Sequence, residues 1–387
     1  MQAENYQDIL GSMDGLRRGF TSGTAAQAAA VGAATGLLQG QSLPMVSVEL
    51  KDGRLLSLPV QSFVLGDGWA QCSILKDAGD DEDITHGAEF CARVSWQSHE
   101  GIQIVGGIGV GVVIKAGLPL PVGEAAINPR PRERITTELT RLLSEHIENQ
   151  SPSGGLTGHG SSLMKGLRVE LSIPKGKELA RQTWNPRLGI EGGLSIIGTT
   201  GVVEPKSSRA FKASIILALK VLKATGTEEV ALAFGYVGER WFASQRDKTP
   251  QEIIKFGDHF GWTLEAAIAQ GFERIIVAGH VGKMSKVAAG LFDTHWTCGD
   301  ARLETIGAWA GAAGASPALI QQILGLPTAE AAVSLLENAE LTEAWTRMNQ
   351  RLLERCQLHV EKKGKTLPAM ESILLNLEGK ELANDAL

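Results

Sequence analysis

The feature that most constrains this fold is a change of rhythm near residues 182–192. Before it, alternating apolar runs of strand character follow one another at 69–75, 90–96, 102–105, 110–115 and 167–173. Two more, VSVEL and RLLSLPV, face each other across Asp52-Gly53, a strong hairpin signal. An Ala-rich helix at 24–38 and a helix at 131–146 interrupt them. Strands beside strands imply an α+β half. After the change, strand and helix alternate. Strand segments lie at 194–197, 229–234, 274–278 and 372–377. Between them come a helix at 207–223, a helical region opened by the capping box Thr249-Pro250-Gln251-Glu252, broken at Gly257 and running to Gly271, helices at 283–291 and 300–314, and further helix over 316–356. That alternation predicts βαβ units and a parallel sheet of about four strands. The 387 residues suit two domains at ~150 residues each, 1–185 as the α+β domain and 186–387 as the α/β domain. Residues 1–18 are polar and read as an irregular arm.

Charge and cysteine usage narrow the function. A net charge of −6 argues against a dominant role on nucleic acid or an anionic membrane, and 5% aromatics disfavour base-stacking surfaces. Cys72, Cys91, Cys298 and Cys356 stand far apart with no CxxC pair, as expected of reduced thiols in a cytoplasmic protein. The opening MQAENYQDIL has no apolar signal core, and no apolar run approaches the ~18 residues of a membrane span. Glycine, at 46 of 387 residues, exceeds the usual ~7%, so tight turns and close backbone approaches are expected.

Several stretches carry chemistry, each beside a plainer reading. Arg17-Arg18-Gly19-Phe20-Thr21-Ser22-Gly23-Thr24 opens the Ala-rich helix. Its N–H groups, hydroxyls and guanidiniums suit a carboxylate or phosphate; an ordinary Thr-capped helix is equally natural. Lys76 to Gly87 packs Asp77, Asp80, Asp81, Glu82, Asp83 and His86 after a strand, for acid/base work or as a solvated turn. Crowded carboxylates repel, so cations or backbone donors are expected among them. GGIGVG at 106–111 is followed by no helix, which defeats a dinucleotide reading. The rigid Pro/Gly loop after it carries Arg130, Arg132 and Arg134 and suits an anionic ligand. Three Gly-rich turns follow strand segments in the second half: Gly198, Thr199, Thr200 and Gly201; Gly235 to Gly238; Gly279, His280 and Gly282. Three on one parallel sheet point to a nucleotide-like cofactor at the strand ends. Finally, Asp293-Thr294-His295 precedes Asp300, Arg302 and Glu304. Asp300 and Glu304 would share a helix face that wants a cation, and His295 suits proton transfer or a structural cap.

Taken together, GFTSGTAAQAAA, KDAGDDEDITHGA, KAGLPLPVGEAAINPRPR, NPRLGIEGGLSIIGTTGVVEP, AGHVGKMSKVAAGLFDTHW and GDARLE closely resemble, in order and over about residues 17–314, the cobalt-precorrin-5B (C1)-methyltransferase (CbiD) family. The chain departs from the family pattern at Ala25, where Cys is usual, at Ile108, where Gly-Gly-Glu-Gly is usual, and near Gly257-Asp258, where Ser-Asn is usual. PSGGLTGHGSS at 152–162 looks like an insertion.

The resemblance implies methyl transfer from S-adenosylmethionine to C-1 of cobalt-precorrin-5B, giving cobalt-precorrin-6A in anaerobic cobalamin biosynthesis. It also implies a first domain like a permuted ribosomal S5 domain 2 and an α/β second domain with a four-stranded parallel sheet. Cobalt would belong to the corrinoid substrate, with no metal held by the protein. A flat, multiply carboxylated macrocycle calls for Arg17, Arg18, Thr21, Arg130, Arg132, Lys283 and Arg302. The methyl donor would sit at Gly198, Thr199, Thr200, Gly201, Gly235, Gly238, Gly279, His280 and Gly282. His295, Asp300, Asp80, Asp81 and His86 are the candidates for proton chemistry. The partners expected are the corrinoid alone, with no nucleic acid and no membrane; assembly into a homo-oligomer stays open. Two other classes are a small-molecule phosphotransferase, suggested by the Gly/Ser loop at 154–162, and a corrinoid carrier without catalysis.

Overall fold

An Ala-rich helix organises the first of two units, Met1–Ser207, in the computed structural model, which describes residues 6–150 and 166–387. The insertion at 152–162 and its Gly/Ser loop lie outside the described residues. From Tyr6 onward the polar start is not an irregular arm. Its helix α1 (Tyr6–Leu10) buries Leu10, Arg54 donates to the Ile9 carbonyl, and the Tyr6 hydroxyl donates to Asp77 at 3.0 Å. Helix α2 (Ser22–Gln39) is capped by the Thr21 side chain and ends at Gly40 in the left-handed conformation, φ 72°. Its small residues are buried all round, where it packs against two strands of the main sheet and a second long helix. A Cβ on Gly32 would lie 2.7 Å from Cys72 Sγ, so glycine is what lets helix and sheet approach.

The expected hairpin is β1 (Met45–Glu49) with β2 (Leu55–Pro59), antiparallel, turning through Gly53 at φ 82°. Five further strands form one sheet: β3 (Ser62–Gly66), β4 (Trp69–Leu75), β5 (Glu89–Gln97), β6 (Gly101–Gly106) and β7 (Gly166–Ser172). Their order is β3-β4-β5-β7-β6, antiparallel except for β7 with β6. Helix α3 (Pro129–Gln150) falls between β6 and β7. The strand expected at 110–115 shrinks to Val112–Val113, paired with Ile190–Glu191.

The segment at 194–197 is not a strand of the parallel sheet. Leu194 and Ile196 are buried in the first unit's core and form only isolated bridges there, to Val110 and Ile127. Val202–Val203 then pairs with Gly19–Phe20. These backbone bonds tie residues 186–207 to the first unit, so the division falls between Ser207 and Ser208 rather than at 185/186.

The second unit is α/β. Helix α4 (Ser208–Ala224) leads to β8 (Glu229–Phe234) and α5 (Gly235–Gln245). Next come β9 (Ile253–Lys255), α6 (Phe260–Ala269), β10 (Arg274–His280) and α7 (Val281–Ala288). Helices α8 (Arg302–Ala312), α9 (Pro317–Leu324), α10 (Ala331–Asn338) and α11 (Glu343–Glu361) precede β11 (Ala369–Leu375) and β12 (Glu381–Ala386). The sheet order is β9-β8-β10-β11-β12: four parallel strands, as expected, plus an antiparallel β12 at the edge. The fourth parallel strand is β9, not 194–197. Glu252 does accept from Thr249 N and Oγ1, at 2.9 and 2.6 Å, but the capping-box pair closes a turn. The buried pair Ile253 and Ile254 then pairs with β8 instead of continuing as helix. Among the described residues, all four cysteines are free and no helix is long and apolar enough to cross a membrane.

Candidate functional site

In chain order the parallel strands run β8, β9, β10, β11, yet in space β8 lies between β9 and β10. The connection leaving β8 therefore runs to one side, to β9, and the one leaving its neighbour β10 runs to the other, to β11; crevices at the carboxyl ends of such strands are where open α/β sheets bind ligands. A pocket of about 450 Å³ opens at this end of the second unit. It is lined by Asp258 beyond β9, by His280, Gly282, Lys283 and Lys286 at the end of β10, and by Leu377 beyond β11. The loop from α7 to α8 adds Thr294, His295, Trp296, Asp300 and Arg302; the turn before α10 adds Thr328, Ala329 and Glu330.

Local geometry fixes most of these side chains. His280 ends β10 and caps α7. Its Nδ1 accepts the Gly282 N–H at 3.1 Å, so Nε2 carries the ring proton and donates to Glu330 Oε2 at 2.8 Å. Glu330 Oε2 also accepts the Leu377 N–H at 3.2 Å. Lys283 pairs with Asp258, joining the segments beyond the two neighbours of β8. Asp258 also accepts from Thr294 Oγ1 at 2.8 Å, and the Thr294 N–H donates to its carbonyl at 2.9 Å. Burial pushes the Asp258 carboxyl up, but the hydrogen bonds from Lys283 and Thr294 outweigh it and hold the group below the usual carboxylate range.

His295 starts the 3-10 turn Trp296–Cys298. Its Nδ1 lies 2.7 Å from Thr297 Oγ1 and accepts the Thr297 N–H at 3.4 Å, while Nε2 has no protein partner among the described residues. Asp300 does not share a helix face with Glu304. It precedes α8, accepts the Arg302 N–H at 3.3 Å, and holds the Arg302 guanidinium bidentately at 2.7 and 2.5 Å. The hydrogen bond with Arg302 takes its carboxyl down to about 2. Sequence spacing alone suggested the helix; the Ala301 backbone, at φ −129° and ψ 25°, is not helical.

The sequence candidates are thus partly assembled. His295, Asp300, Lys283, Arg302, His280 and Gly282 meet in one pocket. Gly235, Gly238 and Gly279 lie near strand ends but do not line it. A Cβ on Gly238 would sit 2.3 Å from the Ala278 carbonyl oxygen, and one on Gly279 would sit 2.5 Å from Phe234 Cβ, so packing demands these glycines. Gly198, Thr199, Thr200 and Gly201 are elsewhere altogether. In the first unit the Gly201 carbonyl accepts from Thr21 N at 3.0 Å and from Thr24 Oγ1 at 2.8 Å, and Arg134 donates to the Thr199 carbonyl at 2.8 Å. The three Gly-rich turns therefore do not share the strand ends of one sheet; the pocket lies at the ends of β9, β10 and β11.

The acidic stretch has the cations and donors its crowding called for. Asp77 binds Arg17 at 2.6 Å, Asp83 pairs with the buried Lys76, and the Lys206 N–H donates to Asp81 at 3.0 Å. Asp80 accepts the Arg17 N–H at 2.7 Å, and His86 Nδ1 accepts the Ala78 N–H at 3.1 Å. Thr21 is spent as a helix cap. Arg130 pairs with Glu133 at 2.9 Å and Arg132 with Glu124 at 3.7 Å, while Arg18 keeps a buried Nε without a partner among the described residues.

The CbiD family matches residues 11–205, and the CbiD C-terminal domain matches residues 293–386. The cobalt-precorrin-5B C(1)-methyltransferase of a Thermoanaerobacter species is 40% identical over 84% of this chain and 83% of its own length. That of Moorella thermoacetica is 39% identical over 96% of this chain and 95% of its own. The chain belongs to the CbiD family. A crystal structure of a cobalamin biosynthesis protein (cbiD) from Archaeoglobus fulgidus is 29% identical, covering 72% of this CbiD chain and 82% of that one, with a TM-score of 0.38.

Sequence reasoning passed over Asp258, Lys286, Thr294, Trp296, Glu330 and Leu377 as site residues in this CbiD chain. One signal was available. Lys283 and Lys286 stand three apart at the start of a helix, where like charges on one face need anions or acceptors. Glu330 and Leu377 had none, because only the β10–β11 pairing and the α10 turn bring them to the pocket.

Proposed function

We propose that this chain transfers the methyl group of S-adenosylmethionine to C-1 of cobalt-precorrin-5B, giving cobalt-precorrin-6A in cobalamin biosynthesis. The observation that carries the reading is family membership over nearly the whole chain, joined to a strand-end pocket of a size suited to one small ligand. The reading includes a cytoplasmic setting, in keeping with free thiols, and a first domain like a permuted ribosomal S5 domain 2.

The pocket's donor set fits the methyl donor. Trp296, 77% exposed, and Leu377 offer apolar surface to a nucleoside, while charged groups of both signs stand ready for its polar end. The donor supplies an electrophilic methyl; the chain's task is alignment and exclusion of water. His295 stands on a turn held by Asp293, whose carboxylate accepts the His295 N–H at 3.0 Å; with Nδ1 spent as an acceptor, its Nε2–H has no protein partner among the described residues and can donate to the corrinoid ring. Lys283 and Arg302, each on a carboxylate, can exchange that partner for a corrinoid carboxylate. In the first unit, Arg18, Arg130 and Arg132 are the cations this reading keeps for the macrocycle's other carboxylates. Asp80, Asp81 and His86 accept backbone N–H groups in the first unit, whereas His295 lines the strand-end pocket, which favours His295 as the group that meets the substrate there. Purified protein, labelled S-adenosylmethionine and the cobalt corrinoid should give a singly methylated product over many turnovers. A single stoichiometric binding event without product would point to a carrier, and label transfer from ATP to a phosphotransferase.

A further inference from the structure

The pocket's charges can be paired off one by one. Lys283 is taken by Asp258 and Arg302 by Asp300. His280 and His295 each accept a backbone N–H on Nδ1, so neither ring carries a second proton there. Two charges are left over. Lys286 is 5% exposed, and its ammonium donates to two neutral acceptors, the Thr294 carbonyl at 3.1 Å and the Gly299 carbonyl at 3.0 Å. No carboxylate lies within ion-pair distance of it among the described residues, and one of its three N–H donors is unused. Glu330 is the opposite case. Its Oε2 accepts from His280 and Leu377, both neutral, and its Oε1 has no protein donor among the described residues.

A buried cation and a partly buried carboxylate lining one pocket, neither held in an ion pair with a charged side chain, call for a ligand carrying both signs. We infer that Lys286 and Glu330 together bind a zwitterionic α-amino-acid group, Lys286 taking its carboxylate and Glu330 its ammonium. This rests on the donor reading above and deepens it: the methionine end of the donor lies on the α7 side, between Lys286 and Glu330, and the nucleoside lies toward Trp296.

The test compares S-adenosylhomocysteine, which keeps the amino-acid group, with 5′-methylthioadenosine, which keeps the nucleoside and sulfur but lacks it, by calorimetry on the full chain. Wild-type protein should bind the first at least about 100-fold more tightly, as two charge-assisted contacts imply. Glu330→Gln should weaken S-adenosylhomocysteine by about ten-fold or more and leave methylthioadenosine within about two-fold. Lys286→Met should do the same; if it fails to fold, the wild-type ratio and Glu330→Gln decide. Equal wild-type affinity for the two compounds overturns the inference while leaving the donor reading intact. A strong preference that neither variant alters assigns the amino-acid group to other residues and also overturns it. Binding of neither compound removes the donor reading, and the inference with it.

Discussion

At the scale of single residues, the decisive fact is which charged groups are already satisfied. His295 lies on an exposed turn, so its loss should touch chemistry rather than stability. His295→Ala is expected to lower kcat by roughly ten- to ten-thousand-fold at saturating corrinoid with little change in Tm. Wild-type turnover in that variant would remove His295 from the mechanism. Asp83 shows the contrasting, structural use of a carboxylate. Burial pushes its carboxyl up, but the charge and hydrogen bond of Lys76, with Thr85, more than reverse this and hold it below its usual value of 3.8. A lowered folded-state value means the stabilisation is full above that usual value and is lost as pH falls through the folded one. Asp83→Asn would leave buried Lys76 without its counter-charge, at a cost of about 3 kcal/mol at neutral pH. In urea titrations from pH 7 downward, the gap between variant and wild type should close only below the usual carboxylate value. A constant gap down to that point and beyond would show that Asp83 stabilises through packing.

At the scale of elements, local pattern predicted what local bonds complete. The β1–β2 hairpin, α2 and β8 appear where turn chemistry, composition and alternation put them. Where a segment's partners lie far away, the pattern misleads. The Thr249–Glu252 pair forms as a capping box does, yet Ile253 and Ile254 extend because β8 offers a parallel edge and a core. The Gly198–Gly201 turn looks like a strand-end ligand loop but packs on the start of α2, with Gly201 at φ 93° and its Cβ site 2.8 Å from Leu50. Gly201→Val is therefore expected to destabilise the first unit by about 1–3 kcal/mol through overpacking and leave S-adenosylhomocysteine affinity unchanged. Calorimetric loss of binding in a variant that stays folded would return this turn to the donor site.

At the scale of the whole molecule, the chain divides into two units, and the pocket is lined by residues of the second alone. A ligand that binds only the folded second unit stabilises it by about 2.7 kcal/mol at a hundred times its dissociation constant. Hydrogen exchange with saturating S-adenosylhomocysteine should therefore slow amides at 280–286, 294–302 and 328–331, with no change at 198–201. Protection confined to the first unit would contradict the strand-end pocket as the donor site.

What the sequence determined by itself is local or cumulative. The two rhythms predicted an α+β and an α/β half, and long ordered blocks identified the family, because each depends on neighbouring residues. The first-motif cap at Thr21 and the pairing of the acidic stretch were legible for the same reason: helix starts need acceptors and crowded carboxylates need donors. Only the tertiary structure decided the membership of the parallel sheet, the division at Ser207 and Ser208, and the pocket's make-up. Asp258, Lys286, Glu330 and Leu377 are separated by up to 119 positions and meet because the parallel strands β9, β10 and β11 end on the same side of one sheet. Which charges remain unpaired there depends on distances between loops, and no spacing along the chain encodes it.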